Sequence, residues 1–257
     1  MKLGVCGGEG QMAAAAKNGI DYMDVPLTAV RELSNDALRA MRDKAQALGL
    51  SIDCFVCFFG PGVSLYGGES AQRAALDYAA RNFEAVRLLG GSICCIGSGG
   101  ARSVPEGMDP ARAETELVAL LQKLADRAAD CGISLAVEPL RPEESNMINT
   151  IADGIRIKRA ADRKNLGCLV DFFHAWSNGE PLSALDALQP GELIHVHLAR
   201  PDADRCSPGE KDIPALTAWR DKLREIGYDG RVTLECVWKP DFDTALAASA
   251  GVMQMFR

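Results

Sequence analysis

Two textures of hydrophobic patterning alternate along the chain from one end to the other. Short apolar runs rich in Val, Ile, Leu and Cys occupy residues 2 to 7, 21 to 27, 50 to 59, 92 to 98, 133 to 140, 166 to 173, 193 to 199 and 231 to 237. Their length and β-branched content predict buried strands. Between them lie longer stretches such as NDALRAMRDKAQALG, SAQRAALDYAARNFEAVRLLG, PARAETELVALLQKLADRAADCG and IPALTAWRDKLREIG, with apolar residues three and four apart. That spacing predicts amphipathic helices, each closed by the Gly expected just past a helix C-terminus. The segment FDTALAASAGVMQMF supplies a final helix. Eight strand–helix units in sequence predict a parallel (β/α)8 TIM barrel. No Ser-, Gly- or Pro-rich linker divides residues 1–257, so the prediction is one domain.

Polar residues placed on the apolar runs carry the chemistry. In ISLAVEPL, Ile133, Leu135 and Val137 share one face, suited to packing against helices, and Ser134, Ala136 and Glu138 share the other. The same alternation puts Leu169 with Asp171, His195 with His197, and Arg231 and Thr233 with Glu235. Four consecutive strands thus deliver an acid or a histidine to one inward face near their C-terminal ends, where a barrel gathers its active site. Buried ionisable groups cost several kcal/mol unless compensated, and a cation compensates them. Three carboxylates and an imidazole form a hard donor set that suits a divalent ion, Mn2+ first, with Mg2+, Co2+ or Zn2+ also admitted. His195, one layer below the rim, reads as a hydrogen-bonded core residue.

A doubly wound sheet also alternates strands and helices. The turn VCGGEGQMAAAAKNGIDYMDV offers Gly8 and Gly10 after a strand and Asp24 at the end of the next one, a weak dinucleotide fingerprint. Its third position is Ala13, and the spacing to the acid is short. A dinucleotide-dependent oxidoreductase is the lesser alternative, because it leaves the polar residues of the second half unexplained.

Composition narrows the classes. The net charge of −7 opposes a nucleic-acid surface, which needs clustered Lys and Arg. Nine scattered cysteines fit reduced core thiols better than a disulfide framework, and Cys54 and Cys57 in SIDCFVCFF are expected on opposite faces of one strand. No apolar run reaches the length of a membrane span, and MKLGVCGGEG lacks the apolar core of a signal peptide, so a cytoplasmic location is expected.

The segments EPLRPEESNMINT, LVDFFHAW, HVHLARPDADRCSPGEKD and VTLECV resemble successive signatures of the xylose isomerase-like barrel group. That group holds sugar-phosphate isomerases and epimerases, ketose 3-epimerases, hydroxypyruvate isomerases and inosose dehydratases. The resemblance implies that Glu138, Asp171, His197 and Glu235 bind the metal, and that Glu144, His174 and Arg205 contact substrate. It further implies that Glu138 and Glu235 move protons on a small sugar, sugar phosphate or keto-polyol through a metal-bound enediolate, with inosose-type dehydration as an alternative. A homo-oligomer is compatible with it. Arg141-Pro142 departs from the Asn-Arg usual in ketose epimerases at this point, whereas RCSPG keeps the Arg-x-x-Pro-Gly spacing. DNA-repair endonucleases with three zinc ions share the barrel, but three histidines are too few for their cluster. Phe172, Phe173, Trp176 and Trp238 lie near the expected site, as walls against water or as core.

Overall fold

A computed structural model describes residues 1–257 as a closed barrel of eight parallel strands. They are β1 (Lys2–Cys6), β2 (Tyr22–Pro26), β3 (Ser51–Val56), β4 (Ile93–Ile96), β5 (Ser134–Val137), β6 (Leu166–Asp171), β7 (Leu193–Leu198) and β8 (Arg231–Leu234). Each pairs with the next, and β1 also pairs with β8 through Lys2↔Arg231 to Val5↔Leu234. That closure leaves no free sheet edge, so the doubly wound alternative is ruled out. The glycine turn leads into a 3-10 turn (Glu9–Gln11) and a short helix (Met12–Lys17), and Asp24 points into the barrel, buried, where it cannot reach a nucleotide ribose.

Alternation along the strands splits the core in two. Side chains on the outer faces join the helices in one cluster of 65 buried residues, among them Leu135, Val137 and Val170. The inner faces form a small cluster of Tyr22, Cys54, Val56, Ile93, Cys95, Ala136 and Leu169. Burying each large apolar side chain contributes roughly 1.5–3 kcal/mol, which makes the outer shell the main source of stability. Inside the barrel, fit is tight: a Cβ on Gly4 would lie 2.2 Å from the ring of Tyr22, so this glycine makes room for the tyrosine of the neighbouring strand.

Helix signals operate where the pattern places them. Ser34 accepts from the amide of Ala37 to cap the helix Asn35–Ala47, and Asp109 caps Pro110–Ala129, which has proline in its first turn. The helix Gly68–Leu89 closes at Gly90, whose φ of 87° is the left-handed conformation glycine adopts freely.

Several strands are shorter than the apolar runs suggest. The run 166 to 173 stops at Asp171, because its carboxylate accepts from the amide of Phe173 at 2.8 Å and starts a helix, Phe172–Ser177. Likewise β3 ends before Cys57, which sits at φ 52°, so the two cysteines of CFVC do not share a strand. All nine cysteines are free thiols.

Candidate functional site

Glu138 and Glu235 each follow the last residue of a strand, Asp171 ends β6, and His197 lies one residue from the end of β7. Inward parity turns all four toward the C-terminal mouth of the barrel. Each offers one ligand atom, and these atoms lie within 4.8 Å of one another. His197 Nδ1 stands 3.1 Å from Glu138 Oε1 and 3.0 Å from Glu235 Oε2. Arg205 Nη2 donates to Asp171 Oδ2 at 2.6 Å and also to Glu235 Oε2. Asp171 therefore uses one oxygen as a helix cap and turns the other to the site.

Three carboxylates face one guanidinium and one imidazole in a largely buried cluster. Burial pushes the Glu235 carboxyl up, but the charges of His197 and Arg205 outweigh it and hold the group well below the usual carboxylate range. For His197, burial favours the neutral ring, and the facing Glu235 together with bonds to Asp24, Cys95 and Glu138 reverses this, raising it well above the ordinary histidine value. Positive charge on His197 thus sits between Glu138 and Glu235, 3.1 and 3.0 Å from Nδ1. The donor set, three carboxylates and one nitrogen, fits a hard divalent ion.

Beside the cluster opens a cavity of about 440 Å³. Glu138, Glu144, His174, Arg205 and Glu235 line one side, and Phe59, Leu140 and the glycine-rich segments around Gly60 and Gly99 line the rest. His174 Nε2 is 3.5 Å from Asp171 Oδ2 and 4.0 Å from Glu144 Oε2, and Glu144 accepts from Arg141 Nε at 2.7 Å. All seven residues singled out in the sequence are therefore gathered at one rim. A second hollow of about 480 Å³ lies at the opposite end of the barrel among Ser92, Ser134, Gly230 and Arg231, away from this cluster.

Close approach explains one glycine here. A Cβ on Gly97 would fall 1.8 Å from Glu138 Oε2, so only glycine lets the carboxylate occupy its place. The aromatic residues divide by role. Phe172 stacks on Trp219 in the core with ring centroids 3.6 Å apart, whereas Phe173 lies under two guanidiniums, Arg205 at 4.9 Å and Arg141 at 5.0 Å from its centroid. Trp238 packs on Phe242, and Trp176 is 43% exposed and lines neither side of the cavity.

Two buried polar residues escaped the sequence patterning. Asp24 joins β2 to the site from below: its Oδ2 lies 2.9 Å from His195 Nε2 and 3.2 Å from His197 Nε2. Its parity with inward Tyr22 is the signal that would have found it. Arg102, 1% exposed, donates to the carbonyls of Ile96 and Ile148, and burial pushes it down to about 10. A single arginine ending the short glycine-rich helix Gly99–Arg102 gives no such signal.

The sequence profile of the xylose isomerase-like TIM barrel matches residues 12–255. The chain belongs to that family. It is 29% identical over 235 residues to an L-ribulose 3-epimerase of a Methylomonas species, covering 87% of this chain and 76% of the relative. A D-psicose 3-epimerase of Agrobacterium fabrum is 27% identical over 230 residues, covering 86% and 76%. Among solved structures, a D-psicose 3-epimerase of Clostridium cellulolyticum with D-tagatose superposes with a TM-score of 0.83, covering 100% of this chain and 98% of that one; at 18% identity the likeness is one of fold. With relatives of this kind the chain is an enzyme. No helix is long and apolar enough to cross a membrane.

Proposed function

We propose that this protein interconverts small ketoses or keto-polyols by proton transfer at the carbon next to a carbonyl, as an epimerase. The observation that carries the reading is the pair Glu138 and Glu235, whose carboxylates flank His197 Nδ1 at 3.1 and 3.0 Å and face one cavity.

A carbon-bound proton beside a carbonyl is too weakly acidic to leave in neutral water, so it needs a placed base and an electrophile at the oxygen. Glu138, Asp171, His197 and Glu235 would hold a divalent ion, Mn2+ by preference, which would supply the Lewis acidity. Each glutamate has a second oxygen, so one can serve the ion while the other faces substrate. Of Glu138 and Glu235, one enters as the carboxylate and removes the proton, and the other, carrying a proton taken up from solvent, returns it to the opposite face; the carbon inverts and the first glutamate gives its proton to solvent. His174 and Arg205 present N–H groups to the substrate's oxygens, and Glu144 accepts from a hydroxyl. Phe59 and Leu140 keep bulk water from the carbanionic stage.

The epimerase names of the two relatives support this choice, and a putative hydroxypyruvate isomerase of Streptomyces coelicolor, 34% identical over 238 residues, makes aldose–ketose isomerisation the second reading. Chelator-stripped protein should be inactive on D-psicose and L-ribulose, and one equivalent of Mn2+ per chain should restore formation of the epimer. Activity unaffected by chelation, with no ion bound, contradicts the reading. A dehydrated product replaces epimerisation with elimination.

A further inference from the structure

Below the rim, outside the set of residues already given a role, lies a cluster with no contact to the cavity: Asp24, His195, Thr233, Tyr22, Cys54 and Cys95, all buried. Asp24 Oδ2 is shared by His195 Nε2 at 2.9 Å and His197 Nε2 at 3.2 Å. From these contacts we propose that Asp24 is a positioning residue that fixes the tautomer and ring orientation of His197, keeping the Nδ1 lone pair available at the mouth for a metal ion.

A neutral imidazole carries one ring proton. With that proton on Nδ1, the Nε2 lone pair of His197 would face the Asp24 carboxylate in a fully buried site, acceptor against acceptor. With the proton on Nε2 it donates to Asp24, and Nδ1 points between Glu138 and Glu235. The ring is planar, so fixing one nitrogen fixes the direction of the other. His195 steadies the carboxylate in turn. Its Nε2 lies 2.9 Å from Asp24 Oδ2, to which it donates, and its Nδ1 meets Cys54 Sγ at 3.8 Å. Thr233, 3.4 Å from His195 Nε2, is bonded to the Tyr22 hydroxyl at 2.7 Å.

A second observation separates this role from a purely structural one. Asp24 Oδ1 is buried and has no hydrogen-bond partner. Such an oxygen costs stability, so holding the fold together does not explain why a carboxylate stands here.

The inference rests on His197 being a metal ligand, and the test separates the two claims. Asp24→Asn keeps the shape but can donate to His197 Nε2, which favours the proton on Nδ1. Calorimetric titration with Mn2+ should show affinity about 10–100-fold weaker than wild type, with a melting temperature unchanged or higher. In Zn2+-loaded wild type with 15N-labelled histidine, NMR should find His197 protonated at Nε2 and metal-bound at Nδ1. That measurement stands even where the variant does not fold. Wild type that binds no Mn2+ removes the ligand set and the inference together. Wild type that binds while Asp24→Asn binds equally well overturns the inference alone, as does an ion bonded to Asp24 itself or to His197 Nε2.

Discussion

At the scale of single residues, the proposal separates holding an ion from moving a proton. Glu138→Gln and Glu235→Gln each keep an oxygen that can ligate but lose the group that accepts a proton. Steady-state kinetics should show kcat lower by about 10²–10⁴ with KM within a few-fold. Undiminished kcat in either variant removes that residue as a proton carrier. His197 gives a second residue-scale expectation. Its folded value is raised, so the ring stays protonated at Nδ1 to a higher pH than a free histidine. A metal ion needs that lone pair, and binding releases the proton. Affinity should therefore fall as pH is lowered, by about tenfold per unit once His197 is protonated, in titrations across a pH series. Affinity independent of pH would remove His197 from the ligand set. The inward parity of Glu138, Asp171, His197 and Glu235 was legible in the sequence because a strand alternates strictly. Asp24 obeys the same rule on β2, yet lies far from the other four in sequence, where its place beside Gly8 and Gly10 suggested a nucleotide turn instead.

At the scale of elements, the site depends on how strand ends are finished. Strand ends were the least legible part: LVDFFHAW reads as one apolar run, and only the Asp171 carboxylate capping Phe173 divides it into strand and helix. Cys57 similarly falls outside β3 through a backbone turn that hydrophobicity does not encode. The end of β4 sets the position of Glu138. With a Cβ at Gly97 only 1.8 Å from Glu138 Oε2, Gly97→Ala must displace the carboxylate, while its backbone conformation suits any residue. Displacement on the scale of 1 Å costs about 100-fold in rate, so turnover should fall by that order while the melting temperature changes little. A variant with wild-type kcat would mean that Glu138 tolerates the shift and is not the base. The loop from Glu138 to Thr150 has no regular structure, and its anchoring by Arg102 to Ile148 was invisible in sequence, since nothing in GGAR foretells a buried guanidinium.

At the scale of the whole molecule, architecture was the most legible feature. Eight apolar runs separated by helical periods admit few arrangements, and closure through β1 and β8 is the one that buries every strand on both faces. The same closure brings together residues as far apart in sequence as Asp24 and Glu235. An ion at the mouth links four strands, so binding should stabilise the entire barrel. At 100 times the dissociation constant the gain is about 2.7 kcal/mol, roughly 5 °C in melting temperature for a chain of this size, reversed by chelator and absent in Asp171→Asn. No shift in wild type would argue against a resident ion. The most direct test of the central claim, proton transfer between two carboxylates, is turnover of D-psicose or L-ribulose by the Mn2+-loaded protein in deuterated water. The account predicts an epimer carrying one solvent deuterium on the inverted carbon. An epimer formed without deuterium, with back-exchange excluded, contradicts it.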